Sequence, residues 1–334
     1  MRAVEIAAFG EPAAALHVVE MPEPGPPGPG EVVTRLVAAP IDPADLLMVR
    51  GLYGTRPEVP AVAGLEGIGR VEAVGPGVDD LAIGDLVLHL PIHNWQAFRR
   101  LRRADVLTLP GGIDPEQAAM LKVNPATAQL MLQSFVELHR GDWIVQNAAN
   151  SAVGQYVARL AQAAGVRTVN IVRRPDGSAV VEAAGGDRVI VREDAGADAA
   201  ALRDQVLAAT GGSAPRLGLD AVAGAATGGL SACLEPGGIT VNYGVMSGEA
   251  CRIAPPDLIF EGKQLRGFWL TPALGAMTPD GLAALFGGLT ARVRDGTLRS
   301  AIAARYPLQR ALDAVAHADR ADRAGKILIT GDAA

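Results

Sequence analysis

The chain has 334 residues, 49% of them hydrophobic, which is enough for two domains with sizeable buried cores. A formal net charge of −6 argues against a nucleic-acid partner, and no apolar run approaches the roughly 20 residues that a membrane span needs. The two cysteines, Cys233 and Cys251, have no paired spacing, which argues against a disulfide framework and against a four-cysteine zinc lobe.

The beginning of the chain, MRAVEIAAFG, has neither a charged-then-apolar signal nor a cleavage site, so we expect a soluble, cytoplasmic protein. Up to about residue 115, short β-type runs alternate with turns rich in proline and glycine. These runs cover residues 4–9, 18–21, 32–38, 67–74 and 85–90. The pattern predicts a β-rich, partly open domain without βαβ alternation.

From residue 114 the pattern is helical, and from residue 142 strands and helices alternate. Strands are predicted at residues 143–145 and 168–172, with a helix between them. Further helix and strand segments follow at residues 179–184, 188–191, 200–209, 217–221, 227–233 and 239–243. Such alternation is typical of a doubly wound parallel sheet, a Rossmann domain.

The last part of the chain returns to mixed structure after residue 265, with a helix at residues 279–293 and a strand at residues 326–330. We therefore predict an α/β protein in which the nucleotide domain interrupts the β-rich domain. The nucleotide domain would comprise residues 118–264, and the β-rich domain residues 1–117 and 265–334.

The turn after the first strand of the βαβ unit is suited to a dinucleotide, because it presents backbone N–H groups and a helix N-terminus to a pyrophosphate. In a G-x-G-x-x-G alignment the glycine positions fall on Ala149, Ser151 and Gly154, so only the third glycine is kept. Arg173 and Arg174 follow the second strand, where a guanidinium would pair with a 2′-phosphate. We therefore expect NADPH rather than NADH. The alternative is a solvated strand end in an arginine-rich chain.

Several segments together resemble a known family, and they are GLYGTRPEVPAVAGLEGIGRV, VNPATAQLML, QNAANSAVGQ, NIVRRPD and LIFEGKQLRGFWLT. The chain resembles the zinc-independent medium-chain dehydrogenase/reductases, and within them the 2-enoyl thioester reductases related to mitochondrial trans-2-enoyl-CoA reductase. The resemblance implies a GroES-like catalytic domain, enoyl reduction in fatty acid metabolism and a homodimer. Zinc-dependent relatives need a cysteine ligand and a Gly-His-Glu motif. This chain has Ile41 and Asp42 in the region of the cysteine and Leu65 at the position of the histidine, so no metal ligand set is expected.

The resemblance assigns catalysis to Tyr53, in GLYG, and gives it Trp95 as a partner that orients the thioester. A tyrosine hydroxyl can donate a hydrogen bond or a proton to the enolate that follows hydride addition, without carrying a charge itself. The alternative for Tyr53 is an aromatic residue packed on a turn.

The resemblance also implies the residues that contact NADPH. Asn124 would lie near the nicotinamide ribose and carboxamide, and Lys326 would be a C-terminal contact. The pyrophosphate turn, the loop after a late strand and the segment over the nicotinamide and acyl pocket would supply Asn150, Ser151, Ala152, Val153, Gly154, Tyr243, Gly244, Val245, Met246, Phe268, Trp269 and Leu270. For the apolar positions the alternative is core packing.

The segment FRRLRR, residues 98–103, is not part of that resemblance. Its arginines could hold the phosphates of coenzyme A or face an acidic acyl carrier protein, or they could form a solvated face. His89 and His93 are interpreted as ordinary strand-end histidines. Two other functions remain open: an NADPH-dependent quinone or alkenal reductase, and a non-catalytic NADPH-binding sensor.

Overall fold

The computed structural model describes residues 1–193, 196, 198–320 and 325–331. The chain forms two compact units. The first comprises Met1–Val123 together with Pro279–Ala334, and the second comprises Asn124–Thr278.

The N-terminal part of the first unit is β-rich, as the turn-punctuated sequence predicts. Its strands are β1 (Arg2–Ile6), β2 (Leu16–Glu20), β3 (Glu31–Pro40), β4 (Ala61–Val62), β5 (Ile68–Val74), β6 (Leu86–His89), β7 (Phe98–Arg102) and β8 (Val106–Thr108). Its helices are α1 (Pro12–Ala15), α2 (Pro43–Val49) and α3 (Pro115–Ala118), with a 3₁₀ turn at Arg103–Asp105. Five of these strands correspond to predicted runs, with ends shifted by one to three residues. Strand β7 was not expected because arginine occupies its buried as well as its exposed positions.

The second unit alternates helices and strands along the chain. Its helices are α4 (Asn124–Ser134), α5 (Ala152–Ala164), α6 (Asp176–Ala183), α7 (Ala199–Thr210), α8 (Ala225–Cys233), α9 (Pro255–Ile259) and α10 (Leu270–Gly275). Its strands are β9 (Trp143–Gln146), β10 (Arg167–Val172), β11 (Arg188–Val191), β12 (Leu217–Asp220), β13 (Ile239–Asn242) and β14 (Gln264–Gly267). They form one parallel sheet in the order β11-β10-β9-β12-β13-β14, which confirms the predicted Rossmann-type fold class.

The end of the second unit differs from the expected boundary. Residues 264 and 265, between which the boundary was predicted, both lie in β14. That strand pairs in parallel with β13, so the compact unit continues to Thr278. The sequence of β14, QLRG, lacks the apolar run that marks a buried strand, because β14 is the exposed edge strand of the sheet.

The C-terminal part of the chain completes the first unit. It contains α11 (Pro279–Arg294), β15 (Ile302–Pro307), a 3₁₀ turn at Leu308–Arg310, α12 (Ala311–Ala318) and β16 (Lys326–Thr330). Strand β16 pairs with β3 in antiparallel register, with Ile329 opposite Ala39. The resulting sheet runs β15-β16-β3-β5-β6-β8, with β7 also on β3, and a separate sheet has the order β2-β1-β4.

Helix α5 shows how the nucleotide unit is held together. Ser151 caps its N-terminus by accepting a hydrogen bond from Gly154 N–H at 3.2 Å, and Gly165 ends it in the left-handed conformation at φ +73°. Val157 and Leu160 are buried, and each such side chain contributes about 1.5–3 kcal/mol when removed from water. The cap and the buried face together fix the turn that precedes the helix. No helix in the described ranges combines the length and hydropathy needed to cross a bilayer.

Candidate functional site

The turn between β9 and α5 has the close packing that a dinucleotide site requires. A Cβ on Gly154 would lie 2.5 Å from Ala149 O, so only glycine lets the helix approach the strand end. An α-helix leaves its first N–H groups without intrahelical partners, and Ser151 satisfies only that of Gly154. Asn150, Ala152 and Val153 complete this turn. A pyrophosphate would be bound here by N–H donors and the positive end of the helix dipole.

The carboxyl ends of β9, β12 and β13 are joined by polar side chains, which we call the Asp220 cluster: Asn147, Asp220, Thr227 and Asn242. Asp220 Oδ1 accepts hydrogen bonds from Asn147 Nδ2 at 2.7 Å and from two backbone N–H groups, at 2.9 and 3.0 Å. Asp220 Oδ2 accepts from Thr227 Oγ1 at 2.6 Å and from Asn242 Nδ2 at 3.1 Å.

The Asp220 cluster lies where ligands bind in this class of sheet. The strand order reverses direction between β9 and β12, and ligands of doubly wound sheets bind at such a switch point. The second of the two backbone donors belongs to Ala223, which has φ +67°, a conformation that costs a non-glycine residue energy. Asp220 therefore holds the loop at the switch point. These residues were not predicted from the sequence, although polar residues at the ends of buried strands were a usable signal.

Arg173 and Arg174 follow β10 directly and are exposed to solvent. A side chain at Gly177 would come within 3.3 Å of Asn150 Cγ, so the start of α6 lies against the pyrophosphate turn. Arg174 Nε lies 3.5 Å from Asp176 Oδ1, but both groups are more than half exposed and this ion pair is weak. The two arginines therefore lie on the segment between β10 and the helix that packs against the turn, and the contact of their guanidinium groups with a 2′-phosphate stays a prediction.

The loop after β13 lies against the same turn. The buried Tyr243 hydroxyl is near Ser151 and Asp220, and burial, followed by the charge of Asp220, raises the pKa of Tyr243 well above its usual value. Ser151 is the described side chain that approaches this hydroxyl, and no acceptor for it lies at normal hydrogen-bond distance among the described residues. A phosphate oxygen bound at the turn would supply one. The residues fit a bound dinucleotide in this respect.

The rest of this loop separates into packed and exposed positions. A Cβ on Gly244 would lie 2.5 Å from Ala221 O, so the loop packs closely against the end of β12. Val245 and Met246 are 47% and 70% exposed, which does not fit the alternative of core packing for these two residues.

The predicted segment 268–270 and Asn124 also belong to the second unit. Phe268 N–H donates to Asn242 O at 2.9 Å, and its ring packs edge-on against Phe135 with centroids 6.2 Å apart. Leu270 is buried, so these two residues have packing roles within the unit. Trp269 is 39% exposed, and Asn124 is buried at the start of α4.

Tyr53 lies in the first unit on the turn that follows α2. Gly51 adopts φ +71°, and a Cβ there would come within 3.1 Å of the Phe9 side chain, so this turn needs glycine. The Tyr53 ring is half-buried and packs against the apolar core of the unit. The turn-aromatic alternative and a catalytic hydroxyl are both compatible with this position, and the catalytic role stays a prediction.

Trp95, the expected partner of Tyr53, lies in the interior of the first unit. The side chain is completely buried in the core of the first unit. A Cβ on Gly64 would lie 2.4 Å from Trp95 Cδ1, which shows how tightly the ring is enclosed. Trp95 therefore packs in the core of the first unit, and its role in orienting the thioester stays a prediction.

Lys326, the expected C-terminal cofactor contact, is also buried in the first unit. It is 4% exposed, and its ammonium group forms an ion pair with the Asp42 carboxylate in the same unit. We therefore assign Lys326 to the interior of the first unit. The contact of Lys326 with the cofactor stays a prediction.

One arginine of residues 98–103 is buried, and the binding of a phosphate or of an acidic carrier protein by the others stays a prediction beside the solvated-face alternative. Arg99 is 9% exposed and donates to Asn94 Oδ1 at 2.6 Å and to Ile92 O at 2.8 Å. Arg102 and Arg103 are paired with Asp105 and Asp80, both at 2.7 Å. Arg100 lies 3.6 Å from Glu31. Each arginine is thus occupied by a partner within the first unit.

His89 is the last residue of β6, as expected for a strand-end histidine. Its Nδ1 lies 2.9 Å from Asn94 Oδ1 and its Nε2 lies 3.0 Å from Thr34 Oγ1. Burial, with the nearby Arg99 charge, lowers the pKa of His89 to about 3, so the ring is neutral. Across the described part of the chain, no three His, Cys, Asp or Glu residues are grouped so that they could hold a metal ion.

Comparison with known proteins places this arrangement in a family. Residues 28–112 match the model of the alcohol dehydrogenase GroES-like domain, and residues 152–285 match the model named zinc-binding dehydrogenase. A mitochondrial enoyl-[acyl-carrier-protein] reductase from Bos taurus is 35% identical over 317 residues, which cover 92% of this chain and 83% of that protein.

Solved structures agree over almost the whole chain. A putative NADPH:quinone reductase from Bacillus thuringiensis has a TM-score of 0.90 at 27% identity and covers 98% of both chains. The 2-enoyl thioester reductase Etr1p from Candida tropicalis, in a complex with NADP and crotonyl-CoA, has a TM-score of 0.87 at 25% identity and covers 98% of this chain and 99% of that chain. The chain belongs to the medium-chain dehydrogenase/reductase superfamily of oxidoreductases, in the branch of the 2-enoyl thioester reductases.

Proposed function

We propose that this protein reduces the α,β double bond of a 2-enoyl thioester, carried by coenzyme A or by acyl carrier protein, with NADPH as the reductant. The observation that carries the proposal is the 35% identity, over 92% of this chain, to a protein named for enoyl-[acyl-carrier-protein] reduction. The pyrophosphate turn and the tyrosine of GLYG supply the two functional groups that this reaction needs.

In this proposal the second unit binds NADPH at the switch point of its sheet. The N–H groups at the start of α5 bind the pyrophosphate, and the Tyr243 hydroxyl donates to a phosphate oxygen. Arg173 and Arg174 pair with the 2′-phosphate, which NADH lacks. The Asp220 cluster keeps the loops after β12 and β13 in the conformation that accepts the dinucleotide.

Bound NADPH would supply a hydride to the β-carbon of the substrate. The negative charge then builds on the thioester oxygen, and Tyr53 donates a hydrogen bond to that oxygen. A positioned donor of this kind typically contributes about 10²–10³-fold to the rate. The α-carbon is protonated by Tyr53 or by a bound water molecule.

We propose that the reaction does not use zinc, on the basis of the residues at the expected ligand positions. Ile41 and Leu65 have no metal-binding atoms in their side chains, and the Asp42 carboxylate is paired with the Lys326 ammonium. The stabilisation of the developing negative charge is therefore assigned to a neutral hydroxyl.

The experiment that tests the function is the oxidation of NADPH with a panel of acceptors. We expect crotonyl-CoA or a longer enoyl thioester to give the highest kcat/KM. A quinone or alkenal reductase is the second candidate, favoured by the match to the putative NADPH:quinone reductase. A higher kcat/KM for a small quinone would support that candidate, and NADPH binding without oxidation by any acceptor would indicate a non-catalytic sensor.

We also propose a homodimer formed along the exposed edge of β14. Leu265 on this strand and Ile259 and Phe260 beside it are 41%, 69% and 81% exposed, which is unusual for apolar side chains on a monomer surface. Light scattering during size-exclusion chromatography should give twice the chain mass, and Leu265→Arg should give the mass of one chain.

We also propose a cytoplasmic location for this protein. Because the named relatives are mitochondrial, cell fractionation is the experiment that tests this proposal.

A further inference from the structure

A row of polar side chains crosses the sheet of the second unit. It comprises Gln146 at the end of β9, Thr168 and Asn170 on β10, and Asp187 just before β11. Gln146, Thr168 and Asn170 are completely buried. Such interior strand positions are usually apolar, because a buried polar group is costly unless it is hydrogen bonded. We call these four residues the Gln146 network.

The hydrogen bonds of the network run from Asp187 to helix α5. Thr168 Oγ1 donates to Asp187 Oδ2 at 3.3 Å and accepts from Asn170 Nδ2 at 2.8 Å. Asn170 Oδ1 accepts from Gln146 Nε2 at 2.7 Å. Gln146 Nε2 also donates to Gly154 O at 3.0 Å. The network therefore connects the amino end of the sheet to the first turn of α5, directly after the pyrophosphate turn.

The direction of each amide in the network is fixed by its partners. A carbonyl oxygen only accepts, so the N–H₂ group of Gln146 must face Gly154 O. The same N–H₂ group requires the oxygen of Asn170 to face Gln146, and Asn170 Nδ2 then faces Thr168 Oγ1 and Arg188 O, at 2.8 and 3.0 Å. Neither amide can be reversed without bringing two acceptors or two donors into contact.

This arrangement leaves the oxygen of Gln146 unused. Gln146 Oε1 is buried and has no hydrogen-bond partner among the residues that the structure describes. A buried oxygen without a donor is unfavourable, and a methionine, which has a similar length, would avoid that cost. What a methionine could not supply is the N–H₂ group. The feature that glutamine adds at this position is therefore its donor to Asn170 and to Gly154 O.

The contacts of Gly154 show what this donor does. A Cβ on Gly154 would lie 2.5 Å from Ala149 O, and the Gly154 N–H donates to Ser151 Oγ at 3.2 Å. The bond from Gln146 fixes the carbonyl group of the same residue. Because residues 152–153 lie between Ser151 and Gly154, the positions of their N–H groups depend on these contacts.

We propose that Gln146 is a positioning residue for the cofactor, which acts by fixing Gly154 and with it the N–H groups that bind the pyrophosphate. Asn170 directs the Gln146 amide and lies on β10, the strand that leads to Arg173 and Arg174. The bond between Gln146 and Asn170 thus joins the strand before the pyrophosphate turn to the strand before these arginines. The inference rests on the proposed function for the binding of NADPH at this turn.

The contact with α5 can be tested in the absence of cofactor, by hydrogen exchange of the full chain. Gln146→Met removes the donor and keeps the length of the side chain, and Gln146→Leu is a second apolar replacement. Thr168→Val is the matched control, because it acts at the other end of the network and leaves Asn170 Nδ2 its bond with Arg188 O. Mass spectrometry follows the peptides that cover residues 147–160.

We expect these peptides to exchange faster in both variants of Gln146 than in the unmodified protein, and at the unmodified rate in Thr168→Val. Unchanged exchange in the variants of Gln146 would overturn the proposal. Faster exchange to the same extent in Thr168→Val would also overturn it, since the effect would then be a general loosening of the unit.

The consequence for the cofactor is measured by fluorescence titration with NADPH. We expect the Kd for NADPH to rise about threefold to tenfold in Gln146→Met, the range of one lost hydrogen bond, and to stay the same in Thr168→Val. A purely structural role would lower the urea midpoint of Gln146→Met without a change in Kd, and that result would refute the positioning role.

The outcomes separate this inference from the proposed function. If the unmodified protein binds NADPH but reduces no enoyl thioester, the proposed function fails, and the titration and the exchange rates still decide on Gln146. If the unmodified protein does not bind NADPH, both the proposed function and the positioning role fail.

Discussion

The substitution Asp220→Asn tests whether the switch-point loops are held for cofactor binding. An asparagine oxygen can replace Oδ1, which accepts from Asn147 Nδ2 and two backbone N–H groups. The N–H₂ group would then stand in the place of Oδ2, facing Thr227 Oγ1 and the Asn242 N–H₂ group. Two donors, Thr227 Oγ1 and one Asn242 N–H, lose this acceptor, and at about 1–3 kcal/mol for each unsatisfied group the cost is about 2–6 kcal/mol.

Part of this cost should appear as lower stability and part as weaker binding, because the ligand must then restore the loops. We expect NADPH to bind at least about tenfold more weakly, which corresponds to about 1.4 kcal/mol. The assay is a fluorescence titration with NADPH, together with a urea unfolding curve for each variant. Thr227→Val removes a single donor and should have a smaller effect of about 1 kcal/mol.

The matched control for this prediction is Asp187→Asn. This is the same substitution in the same sheet, but at the amino ends of the strands instead of the carboxyl ends. Asp187 accepts from Thr168 N–H at 2.8 Å, where β10 begins. This variant should lose some stability and keep its affinity for NADPH. Unchanged NADPH affinity in Asp220→Asn, or an equal loss in both variants, would refute the reasoning.

Three further predictions concern other parts of the molecule. Tyr53→Phe should lower kcat by about 10²–10³-fold while the Kd for NADPH remains the same, and wild-type turnover would remove Tyr53 from the mechanism. Replacing Arg173 and Arg174 by alanine should weaken NADPH binding and leave NADH binding unchanged in parallel titrations; equal effects on both would support a solvated strand end. Because the pKa of His89 is lowered to about 3 in the fold, its contribution to stability is present above about pH 6.5 and is lost as the pH falls towards 3. His89→Gln should make the urea midpoint less dependent on pH over this range. An unchanged pH dependence of the midpoint would contradict the contribution assigned to His89.

The sequence predicted the parts of the fold that depend on local patterns. Alternating apolar runs predicted the parallel sheet and five strands of the first unit, with ends displaced by a few residues. Strands β4, β7, β8, β14 and β15 were not predicted. Among them, β7 buries an arginine and β14 is exposed along its whole length. In both strands the burial depends on partners far away in sequence, which local periodicity does not report.

The candidate site was predictable where a motif is local. The pyrophosphate turn and the arginines after β10 are close in sequence, and the structure places them on adjacent elements of one unit. Trp95 and Lys326 were assigned to the site from the family resemblance alone, and the structure shows that both side chains are buried. The Asp220 cluster and the ion pair of Asp42 with Lys326 join residues up to hundreds of positions apart, so only the tertiary structure reveals them.

The central claim is that this chain reduces a conjugated double bond with NADPH and uses Tyr53 to stabilise the developing charge. The most direct test compares kcat/KM for crotonyl-CoA in the unmodified protein and in Tyr53→Phe, with a small quinone as the second acceptor. We expect the thioester to be the better substrate and its reduction to depend strongly on Tyr53. A quinone preferred by the unmodified protein, or thioester reduction that is insensitive to the substitution, would contradict the account.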